Sequence, residues 1–325
     1  MITVEHLTKC YGDFKAVEDL SFEIGEGTVY GFLGPNGAGK STTMNIMTGC
    51  LSATEGHVRI EGYDIFEEPM KAKRLIGYLP EQPPLYMNET PAEYLRFVGE
   101  TKGVHGAELK RQIDEVMEQT RITQMRSRRI SQLSKGYRQR VGIAQALMGS
   151  PRVIILDEPT VGLDPIQIVE IRELIRDLGR SHTVILSSHI LSEVQTICEE
   201  ILIISRGKLV AFGRPGDLER QLLSPSEINL VAETGEKEAR EILEPLEHIT
   251  QADFHAEGGE RVAVCLKTDQ TDIHDISRDI FFAFARRGTA LLEMNLKKAN
   301  LEDVFLELTE KDQGGSAENK EEEPA

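Results

Sequence analysis

Gly34-Pro35-Asn36-Gly37-Ala38-Gly39-Lys40-Ser41 is the stretch that decides the fold. It fits the pattern G-x-x-x-x-G-K-[ST], a glycine-rich loop that holds phosphate groups. Residues 28–33 before it predict a buried strand, and residues 42–47 after it predict a helix. Free backbone N–H groups and the positive end of a helix favour an anion at such a junction. The pattern therefore predicts that Lys40 reaches the β- and γ-phosphates of a nucleotide and that the Ser41 hydroxyl holds Mg²⁺.

The composition limits the class of protein. The chain has 325 residues, enough for two domains. Its net charge of 37 − 54 = −17 disfavours an extended surface for nucleic acid, which needs clustered lysine and arginine. The 4 cysteines lie far apart in the sequence, which excludes a zinc or redox motif and predicts reduced thiols in a soluble cytosolic protein. No signal peptide is recognisable and no apolar run approaches the ~20 residues of a spanning helix, so we expect another chain to cross any membrane involved.

The regions flanking the loop predict two smaller parts of the same domain. Residues 2–7 and 19–24 alternate between apolar and polar side chains and predict antiparallel strands. Tyr11 lies between them, where its ring could stack on an adenine base or belong to an ordinary turn. Residues 88–132 predict a helical insertion, which begins with a capping box at Thr90. Its surface is either a contact face or a solvated face.

Two further apolar strands end in polar side chains. Residues 152–158 end in Asp157 and Glu158, and residues 183–187 are followed by Ser188 and His189. Two neighbouring carboxylates repel unless one is metal-bound or hydrogen-bonded. Asp157 could belong to the shell of Mg²⁺ and Glu158 could polarise a water, whereas the alternative is a solvated strand end. Ligands of α/β sheets bind at the carboxyl ends of strands, which favours a functional His189 over a structural one.

Two helix starts complete the set of motifs. Ser134 is placed to cap a helix that follows residue 134, and Asp164 with Pro165 opens another.

The motifs together resemble the ATP-binding subunit of ABC transporters. The resemblance lies in the order and approximate spacing of the phosphate loop, residues 133–139, residues 154–164 and His189. The resemblance covers residues 1 to about 222. The C-terminal part and the form of residues 133–137 are most similar to the type-2 exporter branch, which includes gliding-motility and drug or sodium efflux subunits.

The resemblance implies a P-loop NTPase fold of class α/β, an ABC nucleotide-binding domain with an antiparallel β subdomain and a helical subdomain. It implies that ATP and Mg²⁺ bind to the consecutive residues Gly34, Pro35, Asn36, Gly37, Ala38, Gly39, Lys40, Ser41 and Thr42. It implies that Tyr11 stacks on the adenine and that Asp157 serves the metal. Glu158 would be the catalytic carboxylate, and His189 would contact the γ-phosphate.

The resemblance also implies residues that act between two such domains. In this family two nucleotide-binding domains stack head to tail with ATP between them, so that Ser134 and Gly136 would act on the nucleotide of the partner. The positive end of the helix that Ser134 opens suits a γ-phosphate. Asp164 would belong to the loop that couples the two sites.

The chain departs from the family pattern at two places. The usual Leu-Ser-Gly-Gly-Gln is here Leu-Ser-Lys-Gly-Tyr at residues 133–137, where Lys135 either adds charge near the phosphate or, as we expect, is solvated. The position of the metal-sensing glutamine falls on Glu81, with Gln82 one residue later. Either side chain could reach Mg²⁺.

The remainder, about residues 224–311, predicts a small accessory α+β module. Strands are expected at 228–231, 261–266 and 289–294, and helices at 237–247 and 272–287. We expect the phenylalanines of the second helix, among them Phe281 and Phe284, in the core, and a last helix capped by Asn300. No catalytic constellation is present, so we predict a regulatory or dimer-supporting role. Residues 312–325 predict a disordered acidic tail.

The functional expectation is an ATPase that powers export through a separate integral membrane permease. It would act by ATP-driven dimerisation with a second ATP-binding subunit, identical or different, on the cytoplasmic face of the membrane, and without nucleic acid. The alternative is a soluble ABC-type ATPase with a non-membrane partner. Ribosome-associated members usually carry two such domains and DNA-repair members carry long coiled coils, and neither feature is found. A nucleotide-binding module without turnover is disfavoured by Glu158 and His189.

Overall fold

The computed structural model describes residues 1–222, 226–256, 258, 261–269 and 272–297. The chain divides into two compact units, one of Met1–Pro215 and one that begins at Gly216. The sequence placed the division at residues 222–224, after a helix that the contacts assign to the second unit. Each unit is described separately below.

The strands of the first unit alternate with helices along most of the chain. The strands are β1 (Ile2–Tyr11), β2 (Phe14–Ile24), β3 (Val29–Leu33), β4 (Glu55–Ile60), β5 (Tyr63–Asp64), β6 (Ile76–Leu79), β7 (Val153–Leu156), β8 (Thr183–Ser188), β9 (Glu200–Ser205) and β10 (Lys208–Gly213). The helices are α1 (Lys40–Met47), α2 (Pro69–Arg74), α3 (Pro91–Thr101), α4 (Gly106–Gln119), α5 (Lys135–Leu147), α6 (Pro165–Leu178) and α7 (Leu191–Ile197).

The first sheet is antiparallel and has the order β2-β1-β4-β5. Strands β1 and β2 form a hairpin whose register pairs Ile2 with Ile24 and Tyr11 with Phe14. The predicted alternation is confirmed, since the inward-facing apolar side chains of both strands are buried. Both strands are longer than expected, so that Tyr11 is the last residue of a strand and not part of a loop.

The second sheet has the order β10-β9-β3-β8-β7-β6, and all its strands except β10 run parallel. Every residue of β3, β7 and β8 is buried. Continuous apolar strands of this kind belong to a sheet that is covered on both faces. Strand β8 lies between β3 and β7, with Val29 of β3 opposite Val184. The ends of these three strands therefore carry the phosphate loop, the two acids and His189 to one edge of the sheet.

The helical insertion folds as the sequence predicts. Thr90 caps α3, since its Oγ1 accepts from the backbone N–H of Glu93 and the Glu93 carboxylate accepts from the N–H of Thr90. Helix α4 buries the predicted stripe of Leu109, Ile113, Val116 and Met117. Short 3₁₀ turns at Thr123–Met125 and Ile130–Gln132 lead to α5. The short helices α2 and α7 were not predicted.

The second unit is an antiparallel sheet with helices packed on it. Its elements are α8 (Pro215–Leu222), β11 (Ser226–Ala232), α9 (Glu236–Leu243), β12 (Ile249–Ala256), β13 (Val262–Thr268), α10 (Ile273–Arg287) and β14 (Leu291–Lys297), of which α8 begins at the division between the units. The sheet order is β12-β13-β11-β14. Its core joins Leu230 and Val264 of the sheet to Ile280 and Phe284 of α10. Strand β12 was not predicted.

One expectation for this unit is wrong. Phe284 is fully buried, but Phe281 is 53% exposed and Phe282 is 50% exposed. The buried face of α10 repeats at residues 273, 276, 280 and 284, and residue 281 lies off this stripe. The expected helix at Asn300 and the tail at 312–325 lie outside the described residues. Within the described ranges, each helix is too short or too polar to cross a membrane.

Candidate active site

The phosphate loop connects β3 to α1 and needs glycine for two different reasons. Gly39 has φ +102°, and a Cβ there would lie 2.5 Å from the carbonyl oxygen of Ala16. A Cβ at Gly34 would overlap the carbonyl oxygen of Ile204. Gly37 has φ +82° but faces open space. The loop is thus seated against neighbouring backbone at both ends, while its middle curves outward into a conformation that glycine adopts most easily.

Lys40 is buried at the start of α1. Its Nζ donates hydrogen bonds to the carbonyl oxygens of Gly34, at 2.7 Å, and Pro35, at 3.2 Å. The ammonium also lies 3.6 Å from Oε1 of Glu158. Burial lowers the pKa of Lys40, and the negative charge of Glu158 opposes that effect. The loop therefore surrounds a cation whose charge is only partly compensated by protein groups.

Asp157 connects the loop to two strands of the sheet. Its Oδ1 accepts from Ser41 Oγ at 3.2 Å and from Ser187 Oγ at 2.6 Å. Ser187 Oγ in turn accepts from the backbone N–H of Glu158 at 2.7 Å. A hydroxyl and a carboxylate are hard oxygen donors, which suit Mg²⁺. Among the described residues no three His, Cys, Asp or Glu side chains converge on a metal position, so phosphates and waters would supply the remaining ligands, as Mg²⁺ commonly requires.

Glu158 is held in an uncommon conformation beside His189. It has φ +48°, in the left-handed region, although it is not glycine. Such a residue costs about 1–3 kcal/mol and persists only where its surroundings determine it. Its Oε2 lies 3.0 Å from Nδ1 of His189, and its side chain is 9% exposed. The carboxylate thus stands between Lys40 and an imidazole, where it can orient a water molecule.

A cavity of about 530 Å³ joins these groups. This volume lies within the range of small-molecule sites. Its lining consists of Tyr11, Phe14, Ala16, Asn36, Gly37, Ala38, Gly39, Lys40, Ser41, Thr42, Glu81, Glu158, Val161 and His189. The structure therefore brings together the residues from both sheets that the motifs had singled out separately.

The cavity lining includes Tyr11 and one of the two residues between which the motifs left the metal-sensing position open. Tyr11 lines it with a half-exposed ring, and Lys9 Nζ lies 5.2 Å from the ring centroid. Both Glu81 and Gln82 are exposed, but Glu81 lines the cavity and Gln82 does not. Phe14 and Val161 were missed by sequence reasoning. The pairing of Tyr11 with Phe14 across the hairpin could have identified the first, but only once the register was known.

Ser134, Gly136 and Asp164 lie outside this cavity. Ser134 caps α5 by accepting from the N–H of Tyr137 at 3.4 Å, and Asp164 caps α6 by accepting from the N–H of Gln167 at 2.9 Å. A second cavity of about 250 Å³ is lined by Arg121, Gln124, Ser134, Gly136, Tyr137, Arg140, Gln167 and Glu170. The acids and the lysine thus line one cavity, and the Ser134 helix start lines another.

Lys135 lies beside the second cavity. Its side chain is exposed, as expected, and its ammonium lies so close to Gly162 that a Cβ at that glycine would overlap it. Gly162 has φ +69°. The helix start at Ser134 and the loop before Asp164 are therefore in contact within one chain.

Comparisons of the sequence with known proteins agree with this geometry. Residues 17–161 match the family model described as ABC transporter. The chain is 34% identical over 315 residues to the linearmycin resistance ATP-binding protein LnrL of Bacillus subtilis, covering 95% of this chain and 98% of that protein. It is 34% identical over 310 residues to the bacitracin transport ATP-binding protein BcrA of Bacillus licheniformis, covering 95% and 97% of the two chains.

Solved structures are similar to about two thirds of the chain. One, described as the ATP-binding subunit of an ABC transporter, has a TM-score of 0.62 and 32% identity, and the match covers 68% of this chain and 92% of that one. Another is a dimeric ATP-binding cassette in a post-hydrolysis state bound to ADP and Pi, with a TM-score of 0.60 and 27% identity over 66% and 98% of the chains. Since relatives match along almost their whole length and the cassette fold is shared, the chain belongs to the family of ABC transporter ATP-binding proteins, which are ATPases.

Proposed function

We propose that this ATPase powers export through a separate membrane-embedded permease, and that Glu158 is its catalytic carboxylate. The observation that carries the chemical part is the position of the Glu158 carboxylate between Lys40 and His189 in the larger cavity. A general base must lie within hydrogen-bond reach of the water that it orients. Lys40 and His189 present cationic or N–H groups to the same space, where they stabilise the charge of a transferring γ-phosphoryl group.

The same cavity divides into a phosphate end and a base end. Ser41 and Asp157 would hold Mg²⁺, which when bound neutralises charge on the β- and γ-phosphates. Glu81 is the better candidate than Gln82 for the metal-sensing side chain, because Glu81 lines the cavity. Tyr11, with Phe14 beside it, would pack against the adenine. The loop from Asn36 to Thr42 supplies backbone N–H groups for the phosphates.

The second cavity supports a dimer. Ser134 and Gly136 lie at the positive end of α5, but not in the cavity with Lys40 and Glu158. A helix start of this kind binds anions, and here it would contact the nucleotide held by a second ATP-binding subunit. A dimeric cassette with ADP and Pi among the similar structures supports this arrangement. We propose that ATP closes the dimer and that hydrolysis lets it reopen, with Asp164 in the coupling loop.

The permease contact is proposed at an exposed aromatic cluster. Tyr86 follows the Glu81 segment and is 51% exposed, and Phe97 of α3 is 48% exposed. Their ring centroids lie 5.2 Å apart, and Tyr94 is 5.6 Å from Tyr86. Exposed aromatic rings are typical of protein–protein contacts. This cluster would pass movement near Glu81 to the permease and hold the protein at the cytoplasmic face of the membrane.

The names of the relatives support the direction of transport. LnrL is named for linearmycin resistance and BcrA for bacitracin transport, and both match this chain along almost their whole length. Resistance to a toxic compound is most simply provided by its export.

For the second unit, which has a separate core, we propose a regulatory or dimer-supporting role. Deletion of residues 224–325 that left dimerisation and regulated turnover unchanged would contradict that role.

The experiment that tests the export proposal is the isolation of partners from detergent-solubilised membranes. The bait is the Glu158→Gln protein held with ATP, which should keep the dimer closed. Its control is the same bait with Lys40→Met, used at an ATP concentration at which the weakened variant should hold less nucleotide. Recovery of a polytopic membrane protein by the first bait, and less by the second, is expected. Recovery of ribosomes or DNA-processing proteins without any membrane chain would contradict the proposal.

A further inference from the structure

A buried carboxylate outside the cavity connects the two strand ends that carry Glu158 and His189. Glu193 of α7 is 4% exposed. Its Oε2 accepts from Thr160 Oγ1 at 2.8 Å and from Ser188 Oγ at 3.1 Å. Thr160 is itself 6% exposed and Ser188 is 1% exposed. One oxygen atom thus joins two segments that are far apart in the sequence.

Those two segments are the ones on which hydrolysis would depend. Thr160 follows Glu158 by two residues, and Ser188 directly precedes His189. The Glu158 carboxylate and the His189 ring are themselves 3.0 Å apart. Glu158 needs support from its surroundings because its backbone is in the left-handed region. Glu193 supplies that support through Thr160, and it fixes the other side of the pair through Ser188.

Arg172 of α6 compensates the charge of Glu193. One of its terminal nitrogens lies 3.2 Å from Glu193 Oε1. The Nε of Arg172 is buried and has no hydrogen-bond partner among the residues that the structure describes. A buried donor without a partner is unfavourable, so the guanidinium is drawn inward by its pairing with the carboxylate. Both oxygens of Glu193 are therefore engaged, one by a cation and one by the two hydroxyls.

We propose that Glu193 is a positioning residue for ATP hydrolysis, which holds Glu158 and His189 at their working distance through Thr160 and Ser188. This inference rests on the roles proposed above for Glu158 and His189. Glu193 is not part of the cavity lining, so it acts through these neighbours and not on the nucleotide. Small displacements of reacting groups are costly for catalysis, while they leave ground-state binding of the substrate almost unchanged.

The test separates turnover from binding. Glu193→Ala should lower kcat by about 10- to 100-fold, whereas KM for ATP should stay within about twofold, because its polar contacts do not involve the phosphate loop. Glu193→Gln keeps a carbonyl oxygen of the same reach for Thr160 and Ser188. Its kcat should therefore lie between those of the wild type and Glu193→Ala. A wild-type kcat for Glu193→Ala, or an equal loss in kcat for Gln and Ala, would overturn the proposal.

Two variants on the same helix separate positioning from general destabilisation. Leu191 is 5% exposed and apolar, so Leu191→Ala loosens the packing of α7 without removing the carboxylate. Thr196 is exposed and its Oγ1 donates to the Ser192 carbonyl within the helix, so Thr196→Ala should leave kcat unchanged. If Leu191→Ala, with an equal or larger fall in Tm, lowers kcat as much as Glu193→Ala does, the role of Glu193 is structural and the proposal is wrong.

A double variant distinguishes failure of this inference from failure of the proposed function. Adding Glu193→Ala to Glu158→Gln should lower the residual turnover by less than about threefold, because residues that act as a unit are not additive. A further loss as large as in the wild-type background would contradict action through Glu158. Rapid turnover by Glu158→Gln alone would overturn the role of Glu158 and this inference with it. Slow turnover by Glu158→Gln together with a wild-type kcat for Glu193→Ala would overturn only the positioning role of Glu193.

Discussion

Buried charge is distributed unevenly between the two compact units. In the first unit, charged side chains less than a tenth exposed are Lys40, Asp64, Arg140, Asp157, Glu158 and Glu193. In the described part of the second unit, the buried polar side chains are Thr234 and Thr268, and the remainder of the core is aliphatic apart from Phe284. Both units pack helices on a sheet, but the charges of the first unit that line or support the larger cavity lie at the ends of its parallel strands, and the sheet of the second unit is antiparallel.

The difference shows which unit is built for chemistry. Burying a charge is unfavourable unless it is paired and hydrogen-bonded, and such groups concentrate at functional sites. Lys40, Asp157 and Glu158 meet at one edge of the parallel sheet, where they line or support the larger cavity. In the part that the structure describes, the core of the second unit is apolar apart from Thr234 and Thr268. Mutation of a buried charge at the cavity of the first unit should therefore change turnover, and mutation of the buried core of the second unit should change stability.

The largest effect is expected from the carboxylate of the first unit. Glu158→Gln should lower kcat by about 10²–10⁴-fold, because the amide cannot act as a general base. ATP binding, measured by equilibrium titration, should remain. Glu118→Gln, at an exposed position of α4, is the control for loss of one negative charge. The midpoint of thermal unfolding of Glu158→Gln should not fall. A fall as large as that caused by a core mutation would contradict the contrast drawn between the two units.

A core mutation in the second unit should affect stability instead. Phe284→Ala removes a fully buried ring and should lower the free energy of unfolding of that unit by about 3–5 kcal/mol. Phe281→Ala, one turn earlier on the same helix but 53% exposed, should change it by less than about 0.5 kcal/mol. Chemical denaturation of the full chain measures both. Equal effects of the two variants would show that the apolar core of this unit is not organised as described.

A smaller effect is expected on the affinity for ATP. In its proposed role Lys40 makes a charge-assisted contact to phosphate worth about 1.5–3 kcal/mol, so Lys40→Met should weaken binding roughly tenfold to a hundredfold. Titration with a slowly hydrolysed ATP analogue measures it. Lys110→Met, at an exposed position of α4, controls for the change in net charge. An unchanged affinity would mean that Lys40 serves the loop structure through Gly34 and Pro35 and not the nucleotide.

The smallest effect is a dependence of stability on pH. The pKa of Lys40 is lowered in the folded protein from the ordinary value of 10.5, mainly by burial. At a pH below the pKa values of both the folded and the unfolded state, the protonated side chain destabilises the folded state. Between the two pKa values the unfolded state binds more protons, so the free energy of unfolding rises with pH. Lys40→Met should thus be more stable than the wild type at pH 7 without ATP, and this advantage should shrink toward pH 10.5. If the stability advantage of Lys40→Met grew with pH, the pKa of Lys40 would be raised in the folded protein and not lowered.

Much of the first unit could be predicted because its signals are local. The glycines of the loop from Gly34 to Ser41 predict its turn from local sequence alone. The capping residues Thr90, Ser134 and Asp164 predict helix starts that the structure confirms. Apolar strands such as β8 are recognisable because both faces are covered. The proximity of Glu158 to Lys40 and His189 then follows from the rule that the carboxyl ends of parallel strands meet.

What could not be predicted depends on partners distant in the sequence. Helix α7 has seven residues and no side-chain cap, so its existence depends on packing. Strand β12 at the sheet edge is mostly exposed, and its residues alternate too weakly to give a pattern. The exposure of Phe281 depends on which face of α10 meets the sheet. Likewise, the contacts of Glu193 join residues 160, 172 and 188, which no local pattern connects.

The order of strands in the parallel sheet has a consequence for how the protein is made. Strand β3 pairs with β8, so that Val29 meets Val184, 184 − 29 = 155 positions later. At about 5–20 residues per second, a ribosome needs roughly 8–30 s to supply the second strand after the first. During that interval the phosphate loop has no strand β8 beside it. Contacts so distant in the sequence slow folding. Because the apolar strand β3 lacks this partner while the chain is being synthesised, we expect chaperones to bind it at that stage.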